Sequence, residues 1–230
     1  DTASSLNNLA ALYDSQGRYG EAEPLLIEAL EIRKTELGDR HPNTALSLNN
    51  LAELYRSQDR YGEAEPLLIE ALEIWKAELG DRHPSTALSL NNLALLYDSQ
   101  GRYGEAEPLY LEALKIWKAE LGDRHPSTAL SLNNLAGLYD SQGRYKEAEP
   151  LYLEALEIRE AELGDRHPDT ASSLNNLAAL YYSTNRFPEA ATTMSSVVSI
   201  LEELLGPNHP NTITVKGNLD AIQQALSKQS

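Results

Sequence analysis

A histidine–proline step returns every 42 residues along this chain, at His41-Pro42, His83-Pro84, His125-Pro126, His167-Pro168 and His209-Pro210. The sequence between the steps is nearly constant. Residues 43–84 and 85–126 differ only at Asn43/Ser85, Glu53/Leu95, Arg56/Asp98, Asp59/Gly101, Leu68/Tyr110, Ile69/Leu111 and Glu73/Lys115. A period between roughly 20 and 50 residues means a solenoid, in which each unit buries its apolar face only against its neighbours. Such chains bind other molecules along an extended surface, so the functional question is one of recognition.

Each unit reads as two helices. In the second, Leu48, Leu51, Ala52, Leu54 and Tyr55 fall at helical spacing and form one apolar stripe. That helix is predicted to begin at Pro42, since proline suits the first helical position, and to run to about Gln58. Gly17, Asp59, Gly101, Gly143 or Asn185 follows, residues that accept the left-handed backbone a helix end requires. The next helix is expected over about Tyr61–Leu79, burying Ala64, Leu67, Leu68, Ala71, Leu72 and Ile74. Pro66 sits early enough for a slight irregularity rather than a break. Gly80 is expected to end the helix as a left-handed cap.

The expectation is therefore one all-α domain over residues 1–230. Its helix pairs are 1–42, 43–84, 85–126, 127–168 and 169–210, and a polar capping helix follows at about 211–227. The chain opens at Asp1 without an initiator methionine, at a position equivalent to Asn43, as expected of a piece of a longer protein in the cytoplasm.

Composition narrows the function classes. The formal net charge of −16 argues against nucleic acid and against an anionic membrane surface as partners. Such acidity keeps a long solenoid soluble. No apolar run approaches the 18 or more residues of a membrane span. The absence of cysteine excludes disulfides, thiolate metal sites and a cysteine nucleophile.

The Leu-x-x-Leu-Ala-x-x-Tyr core of the first helix and the Tyr-x-x-Ala…Ala of the second resemble tetratricopeptide repeats. The 42-residue period resembles the kinesin light chain subfamily, as do the phrases Leu-Asn-Asn-Leu-Ala, Gly-Arg-Tyr-x-Glu-Ala-Glu-Pro-Leu and Leu-Gly-x-x-His-Pro. The match covers the chain and weakens after about residue 182. It implies a right-handed α–α superhelix with a concave groove. It also implies a protein-interaction role: cargo binding in kinesin light chains, sensing or scaffolding in bacterial members.

One asparagine pair recurs in every first helix: Asn7/Asn8, Asn49/Asn50, Asn91/Asn92, Asn133/Asn134 and Asn175/Asn176. Spacing turns them away from the Leu/Ala/Tyr stripe. Amides carry donors and an acceptor, so they grip a peptide backbone without reading its sequence. The resemblance implies peptide contact at these positions. The alternative is that they bond one another and stabilise the stack.

Specificity then belongs to positions that vary between repeats. Ser4, Leu46, Leu88, Leu130 and Ser172 form one such row, and Ala11, Glu53, Leu95, Gly137 and Ala179 a second. Asp14, Arg56, Asp98, Asp140 and Tyr182 form the third. The acidic balance departs from the family's Lys- and Arg-lined peptide grooves. The expected ligand is a peptide whose basic residues flank an apolar anchor.

The five histidines lie one solenoid step apart, too dispersed for a shared metal ion, and read as helix caps. Trp75 and Trp117 stand where Arg33 and Arg159 stand in flanking repeats, which predicts partly exposed side chains packed on an adjoining turn. No phosphate loop, nucleophile elbow or zinc-protease helix is present, so neither enzymatic activity nor a cofactor is expected. The rival expectation is a structural spacer or self-assembly element of a larger signalling protein, associating through uncapped ends.

Overall fold

The computed structural model describes residues 2–228. Regular structure among them is entirely helical: α1 (Thr2–Ser15), α2 (Tyr19–Leu37), α3 (Pro42–Ser57), α4 (Tyr61–Leu79), α5 (Pro84–Ser99), α6 (Tyr103–Leu121), α7 (Pro126–Ser141), α8 (Tyr145–Leu163), α9 (Pro168–Ser183), α10 (Phe187–Leu205) and α11 (Pro210–Ser227). Odd-numbered helices are of the first type and even-numbered helices of the second.

Local chemistry sets each boundary. His41 is extended (φ −76°, ψ 142°), and its Nδ1 accepts the backbone N–H of Asn43 at 3.0 Å. His83, His125, His167 and His209 make the same cap on Ser85, Ser127, Asp169 and Asn211. A side-chain cap of this kind is worth about 1 kcal/mol. The turns after α1, α3, α5, α7 and α9 take positive φ at Gly17, Asp59, Gly101, Gly143 and Asn185, between 57° and 71°.

Of two expectations about the second-type helices, the absence of a break at the proline holds and the left-handed glycine cap is corrected. These helices run unbroken through Pro24, Pro66, Pro108 and Pro150, because only an N–H at the edge of the first turn is lost. Gly80, with φ 94° and ψ 162°, is not a left-handed cap but lies in the mirror-extended region that essentially only glycine occupies. Thr86 Oγ1 donates to the Gly80 carbonyl at 2.8 Å and locks this turn. Thr44, Thr128 and Thr170 do the same for Gly38, Gly122 and Gly164.

The chain forms two compact units, Asp1–Glu120 and Leu121–Ser230. In the first, α2 packs between α1 and α3, α4 packs between α3 and α5, and the first-type helices also touch in sequence. In the second, α8 packs between α7 and α9, and α10 between α9 and α11. Each unit is thus two layers deep, with its core where the layers meet: Leu48, Ala52, Leu54, Leu68 and Ala71 are at most 2% exposed in the first. Leu67 and Leu72 are only half-buried, whereas Trp75 joins the core at 3%.

Position in the stack decides what a residue contributes. Leu54 and Leu12 are equivalent in sequence, yet Leu54 is 2% exposed and Leu12 is 53% exposed, because α3 has α2 on its far side and α1 has no such neighbour among the described residues. Leu54→Ala is expected to destabilise the fold by about 2–5 kcal/mol and Leu12→Ala by under about 1 kcal/mol, as measured by urea denaturation. Equal losses would refute the burial account.

Candidate functional site

The two asparagines of each pair do different things. Asn7, Asn49 and Asn91 are 8%, 3% and 1% exposed, which corrects the expectation that both members turn outward. Each lies four residues after one buried alanine and three before another (Ala3 and Ala10 for Asn7), so it shares the core-facing stripe. The second members face outward: Asn8 is exposed, and Asn50 and Asn92 are half-buried.

Their hydrogen bonding also differs between the units. In the first unit Asn91 Nδ2 donates to Asn92 Oδ1 at 3.3 Å, while the buried Oδ1 atoms of Asn7 and Asn49 have no partner. In the second unit Asn133, Asn134, Asn175 and Asn176 are all half-buried, and Asn176 Nδ2 of α9 donates to Asn133 Oδ1 of α7 at 3.1 Å. The amides there bond across the stack.

On the first unit a cavity of about 220 Å³ opens between α1 and α3, lined by Asn7, Asn8, Asp14, Asn50 and Glu53 over Leu26 and Leu54. Glu53 holds Arg56 through contacts of 3.0 Å to both Nε and Nη2. Burial, and then repulsion by Glu53, raises the pKa of Asp14, which Arg56 offsets only in part. Burial likewise raises that of Asp98. Fully buried Tyr110 feels the Asp98 charge, and its hydroxyl is pushed up, first by burial and then by that charge. Leu46, Leu88 and Leu95 are half-buried on α3 and α5.

On the second unit Leu130 is half-buried, and burial raises the pKa of Asp140. Two further cavities flank α10 between α9 and α11. One of about 610 Å³ is lined by Asn175, Asn176, Val197, Leu201, Val215 and Asn218, and one of about 310 Å³ by Tyr182, Met194 and Ile222 among others. Periodicity alone does not find them, because the departures in α11 read equally well as a polar cap. Ile213 of α11, which stands where the buried Ala171 stands in α9, is 57% exposed.

A second feature lies outside the sequence expectations. In each repeat an arginine lies over a tyrosine five residues earlier, as Arg60 over Tyr55 at 4.0 Å. Arg60 also pairs with the glutamate three residues on, Glu63 at 2.7 Å, and with one from the preceding repeat, Glu23 at 2.8 Å. Arg102–Glu65 and Arg186–Glu149 repeat the inter-repeat bond at 3.0 and 2.6 Å. The constant Tyr, Arg and Glu spacing was the available clue.

Trp75 and Trp117 are 3% and 2% exposed, not partly exposed, and their Nε1 atoms donate to the carbonyls of Pro42 and Pro84 at 3.0 and 3.1 Å. Arg33 and Arg159, at the equivalent position and 6% exposed, reach the next first-type helix, and Arg33 also donates Nη2 to Ser4 Oγ of the preceding one at 3.4 Å. Arg33 donates to the Asn43 carbonyl at 2.8 Å and to Ser47 Oγ at 3.1 Å. Arginine is tolerated there because backbone carbonyls and a buried serine accept its protons.

Among the described residues no group of three or more His, Asp or Glu side chains is placed to hold a metal ion, and no helix is long and apolar enough to cross a membrane. The surfaces offer amide donors and acceptors, carboxylates and apolar floors, which is the chemistry of recognition.

The tetratricopeptide repeat family model matches residues 1–68, 47–119, 99–161 and 141–203. No curated protein matches the chain. Among solved structures, BtubC (BKLC) from P. vanneervenii is similar at 29% identity and TM-score 0.70, covering 89% of this chain and 81% of that one. A Podosopora anserina kinesin light chain-like protein with nearly identical TPR-like repeats is 29% identical at TM-score 0.65, covering 87% of this chain and 95% of that one. A point-substituted form of the same protein is 30% identical at TM-score 0.66, covering 87% of this chain and 94% of that one.

Two outcomes are expected from the site geometry. Trp75→Ala should cost about 3–5 kcal/mol in denaturant unfolding, whereas Trp75→Arg, with Ser85 and Ser89 placed to receive it, should cost much less. Asp98 has a folded-state pKa raised by burial, so its ionisation opposes folding. Its penalty is fully present above that raised value and disappears as pH falls below the unfolded-state value. Asp98→Asn is therefore expected to raise Tm at pH 7 and to leave it unchanged at pH 3.

Proposed function

Because the chain belongs to the tetratricopeptide repeat family, we propose that it is a non-catalytic scaffold or adaptor module that binds an extended peptide segment of a partner along its first-type helices. Tetratricopeptide repeats generally mediate protein–protein interaction, and this chain is similar to kinesin light chain-like members. The observation that carries the reading is the face of α1, α3 and α5. It presents a row of outward amides (Asn8, Asn50, Asn92), half-buried leucines (Leu46, Leu88, Leu95) and carboxylates held at a cost to stability (Asp14, Asp98). Groups kept in unfavourable environments mark functional surfaces more often than chance.

The electrostatics support a ligand with basic residues beside an apolar anchor. Arg56 is the one cation among the variable positions of this face, and it is already paired with Glu53. On the second unit the proposed contacts are Asn134, Asn175, Leu130 and Asp140. Micromolar affinity, about −8 kcal/mol, is expected because ordering a flexible peptide offsets much of the contact energy.

The test is capture from a lysate by the parent chain and by an Asn8→Ala, Asn50→Ala, Asn92→Ala variant of equal helicity. Partners retained by the parent and lost by the variant are expected. An unchanged set of partners would move binding off this face.

One observation favours a second reading, self-association. Leu9 and Leu12 on α1 are 39% and 53% exposed, while their equivalents Leu51 and Leu54 are 5% and 2% exposed beneath a neighbouring helix. If a second copy supplies that cover, light scattering will show a mass that rises with concentration and falls to the monomer value in Leu9→Glu, Leu12→Glu.

A further inference from the structure

We propose that the cavity between α1 and α3 is a subsite for one lysine side chain of the bound peptide. The inference rests on the peptide-binding reading above and adds the residue class that this part of the face selects. Asn7 and Asp14 of α1 and Asn50 and Glu53 of α3 line the cavity, and Leu26 and Leu54 supply its apolar floor. Its volume of about 220 Å³ takes a butyl stem and an ammonium head.

Two independent features make this more than a pair of acidic residues. Asp14 is a half-buried carboxylate with no cation pledged to it, since Arg56 gives Nε and Nη2 to Glu53 at 3.0 Å. Asn7 is more than nine-tenths buried, lines the same cavity, and has a carbonyl oxygen without a hydrogen-bond partner. An unmet buried acceptor costs about 1–3 kcal/mol. The terminal amide torsion of asparagine is broad, so a modest turn presents this oxygen to a donor entering the cavity. An ammonium supplies three donors, enough for Asp14, Asn7 and the amide oxygen of Asn50.

Lysine fits better than arginine. A guanidinium seeks a carboxylate fork, and both oxygens of Glu53 already serve Arg56. One helix step along the unit the chemistry inverts. Arg56 stands at the position of Asp14, and Leu95 at the position of Glu53. The lysine subsite is therefore confined to α1–α3, and the neighbouring step favours an apolar side chain. Packed helices lie about 8–10 Å apart and an extended chain advances about 3.3 Å per residue, so lysine and apolar anchor are separated by about three residues.

The experiment titrates the protein with seven-residue alanine-based peptides carrying leucine and lysine three residues apart, in either order. Companion peptides have norleucine in place of lysine, and butylammonium chloride stands for a free amine. Binding is read from the side-chain amide signals of Asn7, Asn8 and Asn50 in ¹H–¹⁵N spectra. The expected result is that one lysine peptide binds at least tenfold tighter than its norleucine companion. Asp14→Asn should erase that difference by weakening the lysine peptide at least tenfold, with the circular dichroism spectrum unchanged. Glu53→Gln, which releases Arg56 toward Asp14, should erase it as well. Equal affinity of lysine and norleucine peptides would overturn the lysine subsite and leave the peptide-binding reading standing. Binding of butylammonium without either peptide would overturn both, and silence from all probes would overturn the subsite.

Discussion

Everything in this fold depends on one helix being covered by the helix before it. A first-type helix carries leucines on more than one side, and its own partner covers only some of them. Leu48, Leu51 and Leu54 of α3 are buried because α2 and α4 enclose the helix, while Leu9 and Leu12 of α1 stand open. Burying one leucine is worth about 1.5–3 kcal/mol, so the contacts between repeats weigh as much as those within them. The polar features follow from this arrangement. The arginine clasp, the tryptophan-to-carbonyl bonds and the threonine locks all sit where one helix must be held against the next.

The same constraint shapes the candidate site. Ala45 and Ala52 of α3 are fully buried, and positions nearby on the helix, such as Leu46 and Asn50, form a half-buried strip. Carboxylates on that strip are desolvated without being paired. Asp14 and Asp98 thus carry an electrostatic cost that a cationic ligand would relieve. The backbone scaffold is the same in every repeat, and side chains such as Glu53 against Leu95 give each step its own preference.

Much of this was legible in the sequence because it is local. Pro42 and Tyr61 begin helices where the spacing places them, and the left-handed positions carry Gly, Asp and Asn, the residues that tolerate them. What the sequence hid depends on distant neighbours or fine angles. Asn7 and Asn49 lie at the edge of the apolar stripe, where one residue's rotation of about 100° separates buried from exposed. Trp75 and Arg33 share a position, yet Trp75 bonds the preceding first-type helix while Arg33 spans the preceding and the following ones. The cleft between α9 and α11 is lined by residues of three helices, among them Asn175, Val197 and Val215, and a periodicity read one helix at a time does not bring them together. The amide pairs divide between the unit that leaves two acceptors unmet and the unit that bonds them together, although the letters are the same.

The clasp that joins consecutive repeats has a consequence for how such a chain changes over generations. Arg60 meets Glu23 across the same 37 residues that separate Arg102 from Glu65 and Arg186 from Glu149. Where the junctions are interchangeable, an in-frame loss or duplication of 42 codons by unequal exchange creates no interface that the protein does not already contain. The number of repeats is then free to drift while the fold persists, and selection acts on reach along the ligand as a variable separate from stability.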